Sequence, residues 1–275
     1  MDYVSVKDIR VPALGFGTWA LNGRAAYDAT RQALDLGYRH IDTAQIYGNE
    51  TEIGRAIKDS GIAREDIFLT TKVSPANLQA AAAKRSHEES LRRLGLDRVD
   101  LLLVHWPNPA VPVGETLAAL AQLRAEGKTR LIGVSNFTVR LLTEAIERHG
   151  AHLFCNQIEY HPFLAQRAVR QALNGYDMML TAYAPVARGR VFDDKTLVAI
   201  GRKYNKSAAQ VALRWLLDQK NVAAVPKAAR REHAAANIDI FDFRLTPEDR
   251  AAIDALADGE RLVEWGGYSP DWDRA

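Results

Sequence analysis

A chain of 275 residues, 47% hydrophobic and 25% charged, has ordinary globular composition and length for one large domain or two modest ones. Its 36 basic and 34 acidic residues leave a net charge of +2, and no Lys/Arg run or basic–aromatic stripe points to nucleic acid. The one cysteine, Cys155, excludes an intrachain disulfide and a multi-cysteine zinc site; the charged start and the lack of an apolar run of about 18 residues argue against a signal peptide and a membrane span. The expectation is a soluble cytoplasmic protein.

In chain order, Leu14–Gly17 reads as the first strand and Ala25–Leu36 as the first helix. Tyr38–Asp42 is a strand, Glu52–Ser60 a helix, Ile67–Thr71 a strand and Leu78–Leu94 a helix. The alternation continues with Val99–Val104 and Glu115–Glu126, Arg130–Val134 and Leu141–His149, then Phe154–Ile158 and Ala168–Leu173. Strand Met178–Tyr183 is followed by two helical stretches, Lys195–Tyr204 and Ala208–Gln219, and the last apolar run is Val222–Val225. Six helices stop at a glycine (Gly37, Gly61, Gly95, Gly127, Gly150 and Gly175), the residue that best tolerates the left-handed position ending a helix. The strands are apolar on successive positions, as parallel strands buried on both faces require. Eight strands alternating with helices, with no linker-like break, predict one α/β domain over residues 1–275.

Two architectures compete. Gly15-Phe16-Gly17-Thr18-Trp19-Ala20 matches the dinucleotide pattern GxGxxG/A, and Asp42 ends the next strand where a ribose-binding acid would sit in a doubly wound sheet. Against that, Pro12 falls inside the preceding segment and Trp19 is bulky where a helix must pack closely. The helix also starts near Ala25 rather than at Gly17. Eight successive βα units favour a closed (β/α)8 barrel, with an extra helix between the seventh and eighth strands and a short C-terminal tail.

In such a barrel, function gathers at the C-terminal ends of the strands. The second strand ends at Asp42, with Tyr47 just beyond it; the third ends at Lys72, the fourth at His105-Trp106 and the fifth at Ser135-Asn136. Gln157 and Glu159 lie on the sixth strand, Tyr183 ends the seventh and Lys227 follows the eighth. Four of these residues make a chemical unit. Tyrosine, with a usual pKa near 10, is a poor acid at neutral pH, and a neighbouring cation lowers that value. Lys72 supplies the charge, Asp42 holds Lys72, and His105 hydrogen-bonds a substrate oxygen. The set suits protonation of the oxyanion formed when a carbonyl receives a hydride, which must come from a cofactor. No metal is expected, and Glu159 and His161 read as structural hydrogen-bonding partners because no third ligand has convincing spacing.

The chain resembles the aldo-keto reductases along nearly its whole length. The matching stretches include Gly15-Phe16-Gly17-Thr18-Trp19, His40-Ile41-Asp42-Thr43-Ala44, Tyr47-Gly48-Asn49-Glu50 and Thr71-Lys72-Val73. They continue with Asp100 through Pro107, Gly133-Val134-Ser135-Asn136-Phe137, Asn156 through Pro162 and Val225-Pro226-Lys227. Within the family the likeness is greatest to bacterial 2,5-diketo-D-gluconate reductases, with a tail from Asp258 to Asp273 similar to the B type. The resemblance implies NADPH as cofactor and a small carbonyl substrate of the diketogluconate or methylglyoxal type. It implies Tyr47 as general acid, assisted by Lys72 and Asp42, with His105 orienting the carbonyl. Ser135, Asn136 and Gln157 match positions that hold the nicotinamide carboxamide, and Tyr183 the aromatic stacked on its ring. Thr18 and Asp42 match positions near the ribose, and Lys227 the lysine pairing with the 2′-phosphate. Arg230 and Asn237 fall in the same adenosine-binding region, and Arg188 in a loop expected over the pyrophosphate. Trp19 and Trp106 are expected to line the substrate pocket, with Trp265, Tyr268 and Trp272 either joining them or only packing on the barrel.

The adenosine end departs from the family pattern. Ala228 replaces a usual Ser or Thr, His233 a usual arginine, and Ala236 a usual glutamate. NADPH preference is still expected, from Lys227, Arg230 and Arg231. The rival expectation is a non-enzymatic NADPH-binding sensor barrel; the expected state is a monomer.

Overall fold

The structure, a computed structural model, describes residues 1–273. It begins with an antiparallel hairpin that the apolar pattern did not reveal, Tyr3–Val6 (β1) and Ile9–Pro12 (β2). Its turn residues Lys7 and Asp8 both take positive φ, 49° and 62°. That geometry matches strand twist, but neither residue carries the Asn-Gly signal that usually marks it. Val4, Val6 and Val11 are buried in one cluster with Leu101, Leu103, Phe154 and Met179, so the hairpin plugs the N-terminal end of the sheet.

Eight parallel strands follow: Phe16–Gly17 (β3), His40–Asp42 (β4), Phe68–Val73 (β5), Val99–Val104 (β6), Thr129–Ser135 (β7), Cys155–Glu159 (β8), Met179–Tyr183 (β9) and Val222–Ala224 (β10). Each pairs with its neighbours in chain order. Bridges Leu14–Ala224 and Gly17–Lys227 join the first of them to the last. The result is the expected (β/α)8 barrel.

The dinucleotide-like glycines serve this closure. A Cβ on Gly17 would stand 2.7 Å from the Val225 carbonyl, and one on Gly15 would stand 2.9 Å from the His40 ring. At both positions the space for a side chain is already taken by neighbouring atoms of the barrel.

The helices are Gly23–Asp35 (α1), Glu50–Asp59 (α2), Ala80–Leu94 (α3), Val113–Ala125 (α4), Val139–Thr143 (α5, continuing as a π-helical turn, Glu144–Arg148), Arg167–Gly175 (α6), Lys195–Tyr204 (α7) and Ala208–Leu217 (α8). Helix α7 is the expected extra helix. Five of the six expected glycines take positive φ at or just past a helix end. Gly175 does not: α6 runs through it, and Asp177 takes the left-handed position at φ 49°.

The chain after β10 holds two helices absent from the sequence reading, Arg231–Ile238 (α9) and Pro247–Asp254 (α10). The start of α10 was legible: Thr246 and Asp249 form a reciprocal capping box around Pro247. No helix among the described residues is long and apolar enough to cross a membrane.

Candidate active site

At the C-terminal mouth of the barrel, a cavity of about 490 Å³ is lined by Asp42, Tyr47, His105, Ser135, Asn136, Gln157 and Tyr183, with Trp19, Trp106, Arg188 and Lys227 around them. The barrel register delivers these groups from successive strand ends, and Lys72 lies beneath them.

Lys72 is fully buried. Its Nζ donates to Asp42 Oδ1 at 2.5 Å, to the Thr43 carbonyl at 2.9 Å and to the Tyr47 hydroxyl at 3.4 Å. Burial opposes the Lys72 charge, but the Asp42 carboxylate outweighs it and holds the ammonium above its usual range. The other Asp42 oxygen accepts from Gln157 Nε2 at 2.7 Å, a link across 115 residues that sequence reasoning did not anticipate. Thr18 lies beneath the mouth, its hydroxyl donating to the Asp42 carbonyl at 3.0 Å. Buried Asn49, also missed, donates to the Thr18 and Leu21 carbonyls and accepts from Thr43 Oγ1 at 2.7 Å.

One electrostatic expectation is corrected. Tyr47 is raised, not lowered, from its usual value. Burial acts against the phenolate first, and Lys72 only limits the rise. His105 stands 5.5 Å from the Tyr47 ring, edge to face. Burial, then the Lys72 charge, push His105 well below the ordinary histidine range, so the ring is neutral at pH 7. Its Nδ1 is buried without a partner among the described residues. A neutral imidazole keeps one N–H, the form suited to donating to a carbonyl oxygen.

Beside this unit, Asn136 is fixed by its neighbours at φ 62°. Its amide donates to the His105 carbonyl at 3.0 Å and to Ser135 Oγ at 3.1 Å, and its oxygen accepts from the Tyr183 hydroxyl at 2.8 Å. Ser135 Oγ donates to the Gln157 carbonyl at 2.7 Å. Gln157 Oε1 makes no hydrogen bond among the described residues, and so remains an acceptor facing the cavity.

Arg188, at φ 50°, extends over the Trp19 ring at 5.8 Å. Arg190 from the same loop is committed elsewhere, paired with Asp258 and with Glu260. Lys227 is exposed at the cavity edge. Arg230 immediately precedes α9 and contacts His233 Nε2 at 2.5 Å, while Asn237 sits on the same helix; neither Arg230 nor Asn237 lines the cavity. Ala228 is buried and offers no hydroxyl at that end.

The tail folds back over the mouth. Fully buried Glu159 accepts from the Leu262 amide at 2.8 Å, the Val263 amide at 3.1 Å and His161 Nε2 at 3.0 Å. That confirms the structural reading of the Glu159–His161 pair and adds the anchoring role. Trp265 lines the cavity 6.2 Å from Trp106, while Trp272 packs on Trp106 at 6.1 Å and Tyr268 on Trp265 at 5.2 Å.

The model of the aldo/keto reductase family matches residues 13–258. Among curated relatives, methylglyoxal reductase DkgB of Salmonella typhi is 40% identical, covering 96% of this chain and 99% of the relative. Glyoxal reductase of Bacillus subtilis (strain 168) is 41% identical over 96% of this chain and 94% of its own length. Among solved structures, a protein provisionally named 2,5-diketo-D-gluconic acid reductase B superposes with a TM-score of 0.96 at 47% identity, covering 99% of this chain and 98% of that one.

Proposed function

Since the chain belongs to the aldo/keto reductase family and is an oxidoreductase acting on carbonyl groups, we propose that it reduces small aldehydes and ketones, of the methylglyoxal or diketogluconate type, with NADPH. The observation that carries this reading is the chain from buried Asp42 and Lys72 to half-buried Tyr47, beside a neutral His105 at the cavity floor.

The residues present fit a nicotinamide cofactor. The cavity runs from Tyr47 past Tyr183 to Lys227, and Gln157 Oε1 and Ser135 offer polar atoms for a carboxamide. Tyr183 would face the nicotinamide ring, Thr18 and Asp42 would lie near its ribose, and Arg188 would reach the pyrophosphate. Lys227, Arg230 and Asn237 would hold the adenosine phosphate, aided by the start of α9. When bound, the nicotinamide supplies the hydride.

The chain's own residues do the rest. His105 donates to the carbonyl oxygen and orients it. Tyr47, kept protonated by burial, gives its proton to the oxyanion as charge develops there. Lys72 stabilises the phenolate left behind, and Asp42 with Gln157 fixes Lys72 in place. Buried Trp106 and the more exposed Trp19 line the cavity where the carbonyl would sit.

The test is loss of NADPH absorbance with methylglyoxal, 2,5-diketo-D-gluconate and aromatic aldehydes, repeated with NADH. The expected outcome is turnover, with kcat/KM higher for NADPH. Tight NADPH binding with no turnover on any carbonyl would instead indicate a sensor barrel.

A further inference from the structure

The Lys72 ammonium has three N–H donors, and where the third points depends on what takes the other two. Asp42 Oδ1 takes one at 2.5 Å and the Thr43 carbonyl a second at 2.9 Å, which leaves the third for the Tyr47 hydroxyl at 3.4 Å. Both fixed acceptors lie at the end of β4, and one buried side chain bears on both. Asn49 Oδ1 accepts from Thr43 Oγ1 at 2.7 Å, while its Nδ2 donates to the Thr18 and Leu21 carbonyls, each at 2.9 Å. Thr18 in turn donates to the Asp42 carbonyl from its amide and from its hydroxyl, each at 3.0 Å. Asn49 therefore acts on Thr43 directly and on Asp42 through Thr18.

The local chain explains how Asn49 reaches this place. Gly48 takes φ 66°, so the chain turns sharply between Tyr47 and Asn49. Tyr47 lines the cavity, whereas Asn49 is fully buried behind it and is not part of the cavity wall. The next residue, buried Glu50, accepts from Thr71 Oγ1 at 2.6 Å and from Arg93 Nε at 2.8 Å and Nη2 at 2.6 Å. Thr71 is the strand residue just before Lys72. The start of α2 thus braces the ends of both β4 and β5, the two strands that supply Asp42 and Lys72.

We propose that Asn49 is a positioning residue for proton transfer: acting through Thr43 and Thr18, it fixes the two acceptors that aim the remaining Lys72 N–H at Tyr47. This rests on the proposed reduction, in which Tyr47 gives up its proton and Lys72 stabilises the phenolate. Once the Thr43 carbonyl is free to tilt, Lys72 swings toward Asp42 alone, and the phenolate loses the cation that holds it.

Three variants test the linkage. Thr43→Val severs the Asn49–Thr43 bond at nearly constant volume, Thr43→Ser keeps it, and Asn49→Ala removes both arms. In NADPH-dependent reduction of methylglyoxal, kcat should fall about tenfold in Thr43→Val and about 10²-fold in Asn49→Ala. KM for the carbonyl and NADPH affinity should stay near wild type, and Thr43→Ser should restore kcat. A second readout needs no turnover. The nine tyrosines are replaced biosynthetically by fluorotyrosine, whose more acidic phenol titrates at lower pH, and the Tyr47 fluorine resonance is identified by its loss in Tyr47→Phe. Lys72, Asp42, His105 and Tyr183, the titratable groups around Tyr47, stay in place in all three variants. The Tyr47 midpoint should rise by about one pH unit in Thr43→Val and return in Thr43→Ser. An unchanged midpoint or an unchanged kcat in Thr43→Val would overturn the proposal, as would a loss of stability or a raised KM without the midpoint shift. Thr43→Val decides alone where Asn49→Ala does not fold. A protein that shows the midpoint shift but reduces no carbonyl supports the positioning role and removes the reductase reading alone.

Discussion

Tyr47 holds its proton because burial disfavours the phenolate more than Lys72 favours it. The pH dependence follows in sign. Reduction needs the protonated phenol, and a value above the usual 10 keeps it protonated throughout the neutral range. Steady-state kcat/KM should therefore be flat through neutral pH and decline only above about pH 10. A decline centred near pH 7 would show that some other group gives the proton. Lys72 and Asp42 show why a rim position is informative. Each closes an apolar run on a charged residue, and such a residue at a strand end has to be paired or functional. The link from Gln157 to Asp42 carries no comparable signal, because its partners are 115 residues apart.

At the scale of elements, the tail depends on one carboxylate. Hydrogen bonds to a charged group contribute about 1.5–3 kcal/mol each, and Glu159 accepts two from the tail backbone. In Glu159→Ala, amide exchange at Leu262 and Val263 should speed up while the barrel strands stay protected. KM for the carbonyl should rise more than kcat falls, since Trp265 loses its anchor. Unchanged exchange at those two amides would contradict the anchoring. Helix packing gives a second prediction. Gly54 on α2 lies against the end of α3, where an added Cβ would overlap the Leu94 carbonyl. Gly54→Ala should cost stability at or beyond the ~3 kcal/mol upper end of overpacking penalties, read as a lowered urea midpoint. The elements hidden from sequence share a cause. The β1–β2 hairpin turns on Lys7 and Asp8 without a glycine, and α9 has a weakly patterned Ala-rich face. The strands of the barrel, buried on both faces, announced themselves as short runs of mostly β-branched and aliphatic residues.

The whole molecule should lose stability as pH falls. His40, His87 and His105 are all held below the ordinary histidine value, in each case chiefly by burial. The unfolded chain then binds protons that the folded chain refuses. Stability is complete above about pH 6.5 and falls as pH drops below it. Thermal scans should show Tm decreasing from neutral pH downward, and a level Tm over that range would refute the burial argument. At this scale the barrel and most of its mouth were readable, because both follow from strand count and strand ends. The tail and its aromatics were anticipated, but its anchoring to Glu159 was not, because that contact spans more than a hundred residues. The central claim is that Tyr47 gives the proton. It is tested most directly by following NADPH oxidation with methylglyoxal in the wild type and in Tyr47→Phe, with NADPH affinity measured on the same samples by fluorescence. The account predicts a kcat lowered by about 10²–10⁴-fold in the variant with cofactor affinity retained; turnover in Tyr47→Phe close to that of the wild type would contradict it.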